Sequence, residues 1–210
     1  KRVFVSRTQT PLEISGIEKG VNALDATSSA NFSKISTVER DLSARSNAVS
    51  QFFKTVSQQT GLEATLNFEF KDDFKNLSKE AGGIRQGSLN LSQSVENVSY
   101  DNVKEPLQNL QQRQDVLTQK TQGLEAQAES FREVQRGMRG VTNELVSMLP
   151  HIDADRLKTE APVPDQELAH RAATYFPDQK AVVCQQTDKA LAGIKSLVNA
   201  GAMTPEQGGK

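Results

Sequence analysis

The sequence has one cysteine, no tryptophan and few aromatic residues, and each shortage excludes a class of protein. The single cysteine, Cys184, excludes an intrachain disulfide and a multi-cysteine metal site. Aromatic residues make up 5% of the chain and hydrophobic residues 36%, which is low for a compact globule. Such a composition is typical of helices that each bury one narrow stripe and leave much of their surface in water.

The chain also lacks an excess of charge of one sign and any long hydrophobic run. Twenty-five basic and twenty-six acidic residues leave a formal net charge of −1, so no overall field draws the chain to nucleic acid or to an anionic membrane. No hydrophobic run approaches the roughly 18 residues that a membrane span needs. Because the chain begins with Lys1, we expect a piece of a larger protein, with any targeting or anchoring segment outside it.

The first long periodic stretch of hydrophobic residues begins near Phe32. Spacings of three and four residues place one stripe along a helix of about 29 residues, which Gly61 is expected to end. The stripe residues are Ile35, Val38, Leu42, Val49, Phe52 and Val56.

Two short segments carry a strand-like pattern. Residues 64–70 alternate hydrophobic and polar side chains, with Leu66, Phe68 and Phe70 on one face. Residues 2–6 are rich in β-branched and aromatic side chains. Because a single strand leaves its backbone groups unpaired, we expect these two segments to pair with each other. The pattern therefore predicts a minor two-stranded β element.

Two shorter helices are predicted next. Acidic side chains suit the start of a helix, so Asp72 and Asp73 predict a short helix that Gly82-Gly83 should stop. A second helical stretch is predicted from about Ile84 or Ser88 to Lys104, and Pro106 either kinks it or begins a new helix.

The strongest periodicity follows Pro106 and predicts a helix over residues 107–149, a length of roughly 64 Å. Its second series of core positions is mostly small or polar, which favours a local bundle or hairpin over an autonomous two-stranded rod. We expect this helix to pack antiparallel against the helix of residues 31–60. Hydrophobic residues recur at intervals of seven at Leu110, Leu117, Leu124, Phe131, Met138 and Leu145.

Beyond Pro150 the pattern changes to short elements. A final helix is predicted over about residues 180–199 with Gly201 as its stop, and residues 204–210 are expected to be frayed.

The fold class that these patterns predict is mainly α. It is an elongated antiparallel helical bundle or coiled-coil hairpin, with the minor two-stranded β element and a small helical C-terminal region. The predicted divisions are an N-terminal extension with a short strand (1–30), a long-helix bundle with a β insertion around 64–70 (31–149), and a small helical C-terminal subdomain (150–210).

No residue pattern strongly indicates catalysis or metal binding. A cysteine nucleophile needs a base within hydrogen-bond reach. His170 lies on a short helix predicted over residues 165–175, just before the helix that carries Cys184. We expect Cys184 instead to be a small buried hydrophobic residue beside Val182, Val183 and Leu191. Glu167 and His170 supply two metal ligands, whereas catalytic zinc usually takes three from the protein. We therefore expect no enzyme activity, cofactor or metal, and keep an enzyme site near Cys184 and His170 as an alternative.

The remaining clusters have structural explanations. Asp72-Asp73 and Asp153-x-Asp155 lie where helices should start, and neither continues into a calcium loop. The glycines of residues 82–87 lack the ending of a phosphate loop. Glutamates are interleaved with three arginines on the long helix, which indicates a solvated ion-pair face and not a nucleic-acid surface. These arginines are Arg132, Arg136 and Arg139.

The function that remains is contact with a protein surface. The helix of residues 107–149 is longer than the helix of residues 31–60 by roughly 20 Å, so its end needs cover. We expect residues 134–149 to contact the C-terminal helices, a partner protein or a second copy of the chain. The predicted interaction residues are Val134, Met138, Val141, Leu145 and Met148.

The patterns together predict a non-enzymatic structural or adaptor module that mediates protein–protein contacts, with no nucleic-acid partner and no transmembrane segment. Helices rich in Gln, Ser and Asn suggest a soluble part of a larger assembly, such as a bacterial envelope, secretion or conjugation machine, in the periplasm or outside the cell. An alternative function is that of a secreted effector or of a module that binds a membrane surface.

Overall fold

The computed structural model describes residues 10–61, 66–97, 100, 102–148 and 177–209, and this part of the chain is mostly helical. Its helices pack as a bundle, which confirms the prediction of a mainly α fold. They are α1 (Pro11–Thr60), α2 (Lys71–Glu96), α3 (Lys104–Met148), α4 (Pro177–Asn199) and the short α5 (Pro205–Gly208).

The prediction of a two-stranded β element is wrong for residues 66–70. Residues 66–70 form no strand, nor does any other described segment, and the proposed partner, residues 2–6, lies outside the described ranges. The segment is instead a connection that buries Leu66 and Phe70. A connection covered on one side needs the same alternation of hydrophobic and polar residues as a half-buried strand, so the pattern alone does not separate the two.

α1 begins at Pro11, whereas the sequence predicted a start near Phe32, and the predicted division at residue 30 lies inside this helix. Proline fits a helix start because its missing N–H has no helical partner there. A reciprocal cap precedes it: the Thr10 N–H donates to Glu13 Oε2 at 2.8 Å, and the Glu13 N–H donates to Thr10 Oγ1 at 3.3 Å.

The seven-residue repeat of α1 continues upstream but is hidden by polar residues. Ser28 and Asn31 occupy buried positions of the stripe, between Leu24 and Ile35. A search for hydrophobic residues therefore stops at the polar pair, although the helix does not.

α2 runs through Gly82-Gly83, which the sequence predicted to stop a helix. Each interior glycine costs about 1 kcal/mol relative to alanine. Burying a large hydrophobic side chain contributes roughly 1.5–3 kcal/mol, so the continuous stripe on either side outweighs the two glycines. The buried stripe consists of Phe74, Leu77, Ala81, Ile84, Ser88 and Leu91.

The chain divides into two units, the first made of Lys1–Asp41 and Glu69–Glu125. Within unit 1, α1 and α3 run parallel. The Asn31 amide donates to Thr118 Oγ1 at 2.8 Å, and Lys34 pairs with Glu125 at 2.7 Å, so residue numbers rise together on both helices. The predicted antiparallel packing of these two helices is therefore wrong in this unit.

α2 explains why α1 and α3 are parallel, because it returns the chain between them. Ser88 Oγ donates to Asp25 Oδ1 at 3.4 Å, and the Arg85 guanidinium lies 5.8 Å from the centre of the Phe32 ring. Residue numbers fall on α2 as they rise on α1, so chain neighbours are antiparallel.

The second unit consists of Leu42–Phe68 and Ala126–Lys210. Its core contains Phe131, which is fully buried and meets the ring of Phe68 edge-to-face at 4.7 Å. Ser130 Oγ donates to Ser196 Oγ at 2.9 Å, at one end of an antiparallel contact between α3 and α4.

The predicted end of the last long helix is confirmed. Gly201 has a φ of +73°, its N–H donates to the Val198 carbonyl at 3.0 Å, and the Ala202 N–H donates to the Leu197 carbonyl at 3.0 Å. The sequence predicted a frayed tail from residue 204 onward. Residues 204–209 instead form a capped helical turn, in which Thr204 and Gln207 cap α5 reciprocally.

Candidate protein-interaction surface

The later part of α3 packs on α4 through glycines. A Cβ atom at Gly137 would lie 2.6 Å from the Gln186 carbonyl oxygen and 2.7 Å from Ala190 Cβ. A Cβ atom at Gly193 would lie 2.7 Å from Val134 Cγ2 and 2.9 Å from the Ser130 carbonyl oxygen. No real side chain fits at such distances, so the two helices approach closely only because these positions are glycine.

The same contact covers one of the predicted interaction residues. Val134 is fully buried, and its Cγ2 lies beside Gly193 of α4. Met138 and Val141 are half-buried, while the side chains of Leu145 and Met148 lie outside the described part of α3. Val134 thus has a neighbour inside the chain, and binding of another protein by the five residues stays a prediction.

α4 presents two different faces. The face toward α3 consists of Val183, Gln186, Ala190, Gly193 and Leu197, all buried or half-buried. The neighbouring face, called here the outer stripe, has spacings of three and four residues and is exposed over its first three members. The outer stripe consists of Cys184, Thr187, Leu191, Ile194 and Val198.

The sequence predicted Cys184 to be a small buried residue beside Val182, Val183 and Leu191, and this prediction is wrong. Cys184 is exposed, and Leu191 retains 45% of its accessible surface. The physical reason is that small residues allow a closer approach than large ones, so Ala190-x-x-Gly193 faces α3. The matching small pair Gly137-x-x-Gly140 on α3 was the signal that reasoning from hydrophobic size missed.

A shallow groove of about 410 Å³ lies where α4 meets α5. A Cβ atom at Gly208 would lie 2.8 Å from Val198 Cγ2, so α5 rests directly on the end of the outer stripe. The walls of the groove are mostly hydrophobic and include one charged side chain, that of Lys195. The lining residues are Ile194, Lys195, Val198, Asn199, Pro205, Gly208 and Gly209.

Unit 1 carries smaller exposed hydrophobic surfaces. Phe32 is 40% exposed beneath Arg85, and Leu89 follows Arg85 by one turn of α2 with 44% exposure. Val116 is half exposed on α3. Isolated hydrophobic residues of this kind are common on protein surfaces.

The sequence predicted an ion-pair face around three arginines of α3, and two of the three form ion pairs. Arg132 pairs with Glu129 at 3.1 Å and Arg136 with Glu133 at 2.7 Å, each along the same helix. Such pairing balances the charges of Arg132 and Arg136 within α3.

The alternative of thiol chemistry is not tested, because His170 lies outside the described residues. No group of three or more His, Cys, Asp or Glu side chains suited to a metal ion occurs in the described ranges. Across those same residues, none of the helices combines the length and hydrophobicity needed to cross a membrane.

The fold and these surfaces define the chain as a helical-bundle protein. No family model, no curated protein and no solved structure matches it. Its function therefore has to be inferred from the surfaces that the helices present.

Proposed function

We propose that this chain is a non-enzymatic structural or adaptor module that contacts another protein surface within a larger assembly. The observation that carries the proposal is the outer stripe, which exposes Cys184, Thr187 and Leu191 on a helix that glycine contacts hold against α3. Covering one leucine side chain contributes roughly 1.5–3 kcal/mol. A helix already fixed in place loses little entropy on binding, so Leu191 is well placed to supply binding energy.

The interaction residues predicted on α3 extend this surface. Met138 lies one residue after Gly137, and Val141 one residue after Gly140, so both are adjacent to the glycine contact with α4 and half-buried. We propose that Met138 and Val141, followed along α3 by Leu145 and Met148, add to the contact that the outer stripe makes. Val134 supports it from within by holding α4.

A bacterial envelope, secretion or conjugation machine, in the periplasm or outside the cell, is the setting that we propose for this assembly. The Gln-, Ser- and Asn-rich composition of the helices is its sole support.

Three substitutions in cells that depend on the chain test the proposed function. Leu191→Glu places a charge within the outer stripe, and Lys189→Glu places one on the opposite side of the same exposed helix. Cys184→Ala removes the only thiol and keeps a small hydrophobic side chain on the outer stripe. We expect Leu191→Glu to abolish the assembly's activity, because a partner would have to bury the charge, while Lys189→Glu remains active.

The controls separate loss of contact from loss of fold. Circular dichroism of the purified variants should match that of the unaltered chain, since Leu191 and Lys189 are both exposed. Inactivity of a Cys184→Ala chain that still joins the assembly would support thiol chemistry, and full activity of Leu191→Glu would contradict the proposed contact surface.

A further inference from the structure

We infer that α2 contains a hinge at Gly82-Gly83, where the helix opens to water while both of its halves stay packed in unit 1. The inference is independent of the outer stripe, because it concerns the core of the other unit.

Packing does not require glycine at either position of the hinge. A Cβ atom at Gly82 would meet nothing within 4 Å, and one at Gly83 would meet only Nη2 of Arg113, the end of a flexible side chain, at 3.3 Å. Gly87 of the same helix differs, because a Cβ atom there would lie 2.8 Å from Leu110 Cδ1. Gly82 and Gly83 therefore weaken α2 through their low helix preference and do not bring another helix closer.

The buried stripe of α2 has its smallest side chain beside the hinge. Between Leu77 and Ile84 the only member of the stripe is Ala81, whose side chain is a single methyl group. A bend at this level takes no large hydrophobic side chain out of the core, because Phe74 and Leu77 hold the first half of α2 while Ile84 and Leu91 hold the second. Glycine pairs are among the places where helices bend sharply.

The side chain that α3 buries at the same level is polar. Arg113 donates to Glu80 at 2.7 Å and lies against Gly83, which places this part of α3 level with the hinge. The next residue, Gln114, is 3% exposed, and both polar atoms of its amide are buried with no hydrogen-bond partner among the described residues. Burying such an amide is unfavourable, so an opening that lets water reach it meets less resistance than one beside a hydrophobic side chain.

Native-state hydrogen exchange of the full chain tests the hinge. The N–H groups of residues 83–86 bond to the carbonyl groups of residues 79–82, across the bond between Gly82 and Gly83, so they exchange when the hinge opens. In the unaltered chain these amides should exchange faster than the amides one turn before and one turn after them. Their exchange rate should also depend little on denaturant, because a local opening exposes little surface.

Three substitutions separate the hinge from general stability. Gly82→Ala should slow the exchange of these amides about fivefold, and adding Gly83→Ala should slow it further. Gln114→Leu should slow it as well, because a buried amide no longer favours the opened state. Gly123→Ala on α3, where the added methyl group meets nothing within 4 Å, is the matched control and should leave the exchange unchanged.

Amides of residues 83–86 that exchange as slowly as their neighbours, with the same dependence on denaturant, would overturn the inference. Unchanged exchange in Gly82→Ala or in Gln114→Leu would also contradict it. If Gly123→Ala slowed the exchange as much as Gly82→Ala, the rate would report global stability and the hinge would be excluded.

Discussion

Unit 1 and unit 2 both contain stretches of α1 and α3 with the same seven-residue hydrophobic repeat, but the exceptions to the repeat differ. Unit 1 places polar side chains in its core, and the amide of Gln114 is buried there with no hydrogen-bond partner. In unit 2 the glycines of the α3–α4 contact meet the backbone of the facing helix, whereas the close-packed Gly20 and Gly87 of unit 1 meet the side chains of Leu107 and Leu110. The other buried polar residues of unit 1 are Ser28, Asn31, Ser88 and Thr121.

The hydrophobic repeat alone predicts that a helix packs against other helices. The polar residues and glycines that interrupt the repeat determine the alignment of the helices and how closely they approach. Buried polar groups contribute little net stability but disfavour wrong alignments, because a shifted helix leaves them unpaired. The Asn31–Thr118 hydrogen bond at 2.8 Å fits the parallel alignment of α1 and α3 in this way. Glycines act on distance instead, and they select which face of α4 is covered.

Gly137→Ala tests the glycine contact and should have the largest effect. The added methyl group would lie 2.6 Å from the Gln186 carbonyl oxygen, which belongs to the backbone and cannot turn aside. Overpacking of this kind should lower the free energy of unfolding by about 1–3 kcal/mol in denaturant titration. Gly123→Ala is the matched control on the same helix, where the methyl group meets nothing within 4 Å. It should instead raise stability by up to about 1 kcal/mol, and a change of the same sign in both variants would refute the contact.

Gln114→Leu tests the polar core of unit 1 and should have an intermediate effect of opposite sign. The substitution removes an amide that is 3% exposed and has no partner, and replaces it with a hydrophobic side chain of similar size. Leaving such a group unsatisfied costs about 1–3 kcal/mol, so stability in denaturant titration should rise by roughly 1 kcal/mol or more. Asn31→Leu, which leaves Thr118 without its donor, should give no such gain. A less stable Gln114→Leu variant would contradict this account of the core.

Removing the Glu80–Arg113 ion pair of unit 1 should have the smallest effect on the stability of the fold. The hydrogen bond from Arg113 at 2.7 Å lowers the pKa of Glu80 from its ordinary value of 4.5. The pair therefore stabilises the fold above pH 4.5, and this contribution is lost as the pH falls through the lowered pKa. Solvent screens both side chains, which are 43% and 40% exposed, so the contribution is at most about 1 kcal/mol.

Glu80→Gln should accordingly reduce the loss of stability between neutral and acidic pH, measured as the shift of the unfolding midpoint. Glu96→Gln changes an exposed carboxyl on the same helix and serves as the control. Equal acid sensitivity of the two variants would show that the Arg113 pair contributes nothing.

The sequence predicted α3 almost in full, because its hydrophobic series has no break and a proline lies near each end. It failed at the start of α1 and within α2 for the opposite reason. Ser28 and Asn31 in one helix, and Gly82-Gly83 in the other, are residues that local rules place outside helices. Only packing against the other helices outweighs those local preferences, and packing partners are not visible in one sequence.

The sequence placed the interaction residues on α3 and predicted that residues 134–149 contact the C-terminal helices, a partner protein or a second copy of the chain. Val134 proved to be covered by α4, and the stripe of Cys184 and Leu191 proved to be exposed. Hydrophobic size suggested which residues of α4 should be buried, whereas the close approach at Gly193 decided it.

The alkylation rate of Cys184 measures most directly whether the outer stripe is a contact surface. The residue is the only thiol in the chain and lies exposed on that stripe, so a maleimide should modify it readily in the dilute purified chain. In the native assembly the same thiol should react several-fold more slowly. A cysteine placed at the opposite side of α4 by Lys189→Cys, in a Cys184→Ser background, should react at one rate in both states. Equal reactivity of Cys184 in the dilute chain and in the assembly would contradict the account.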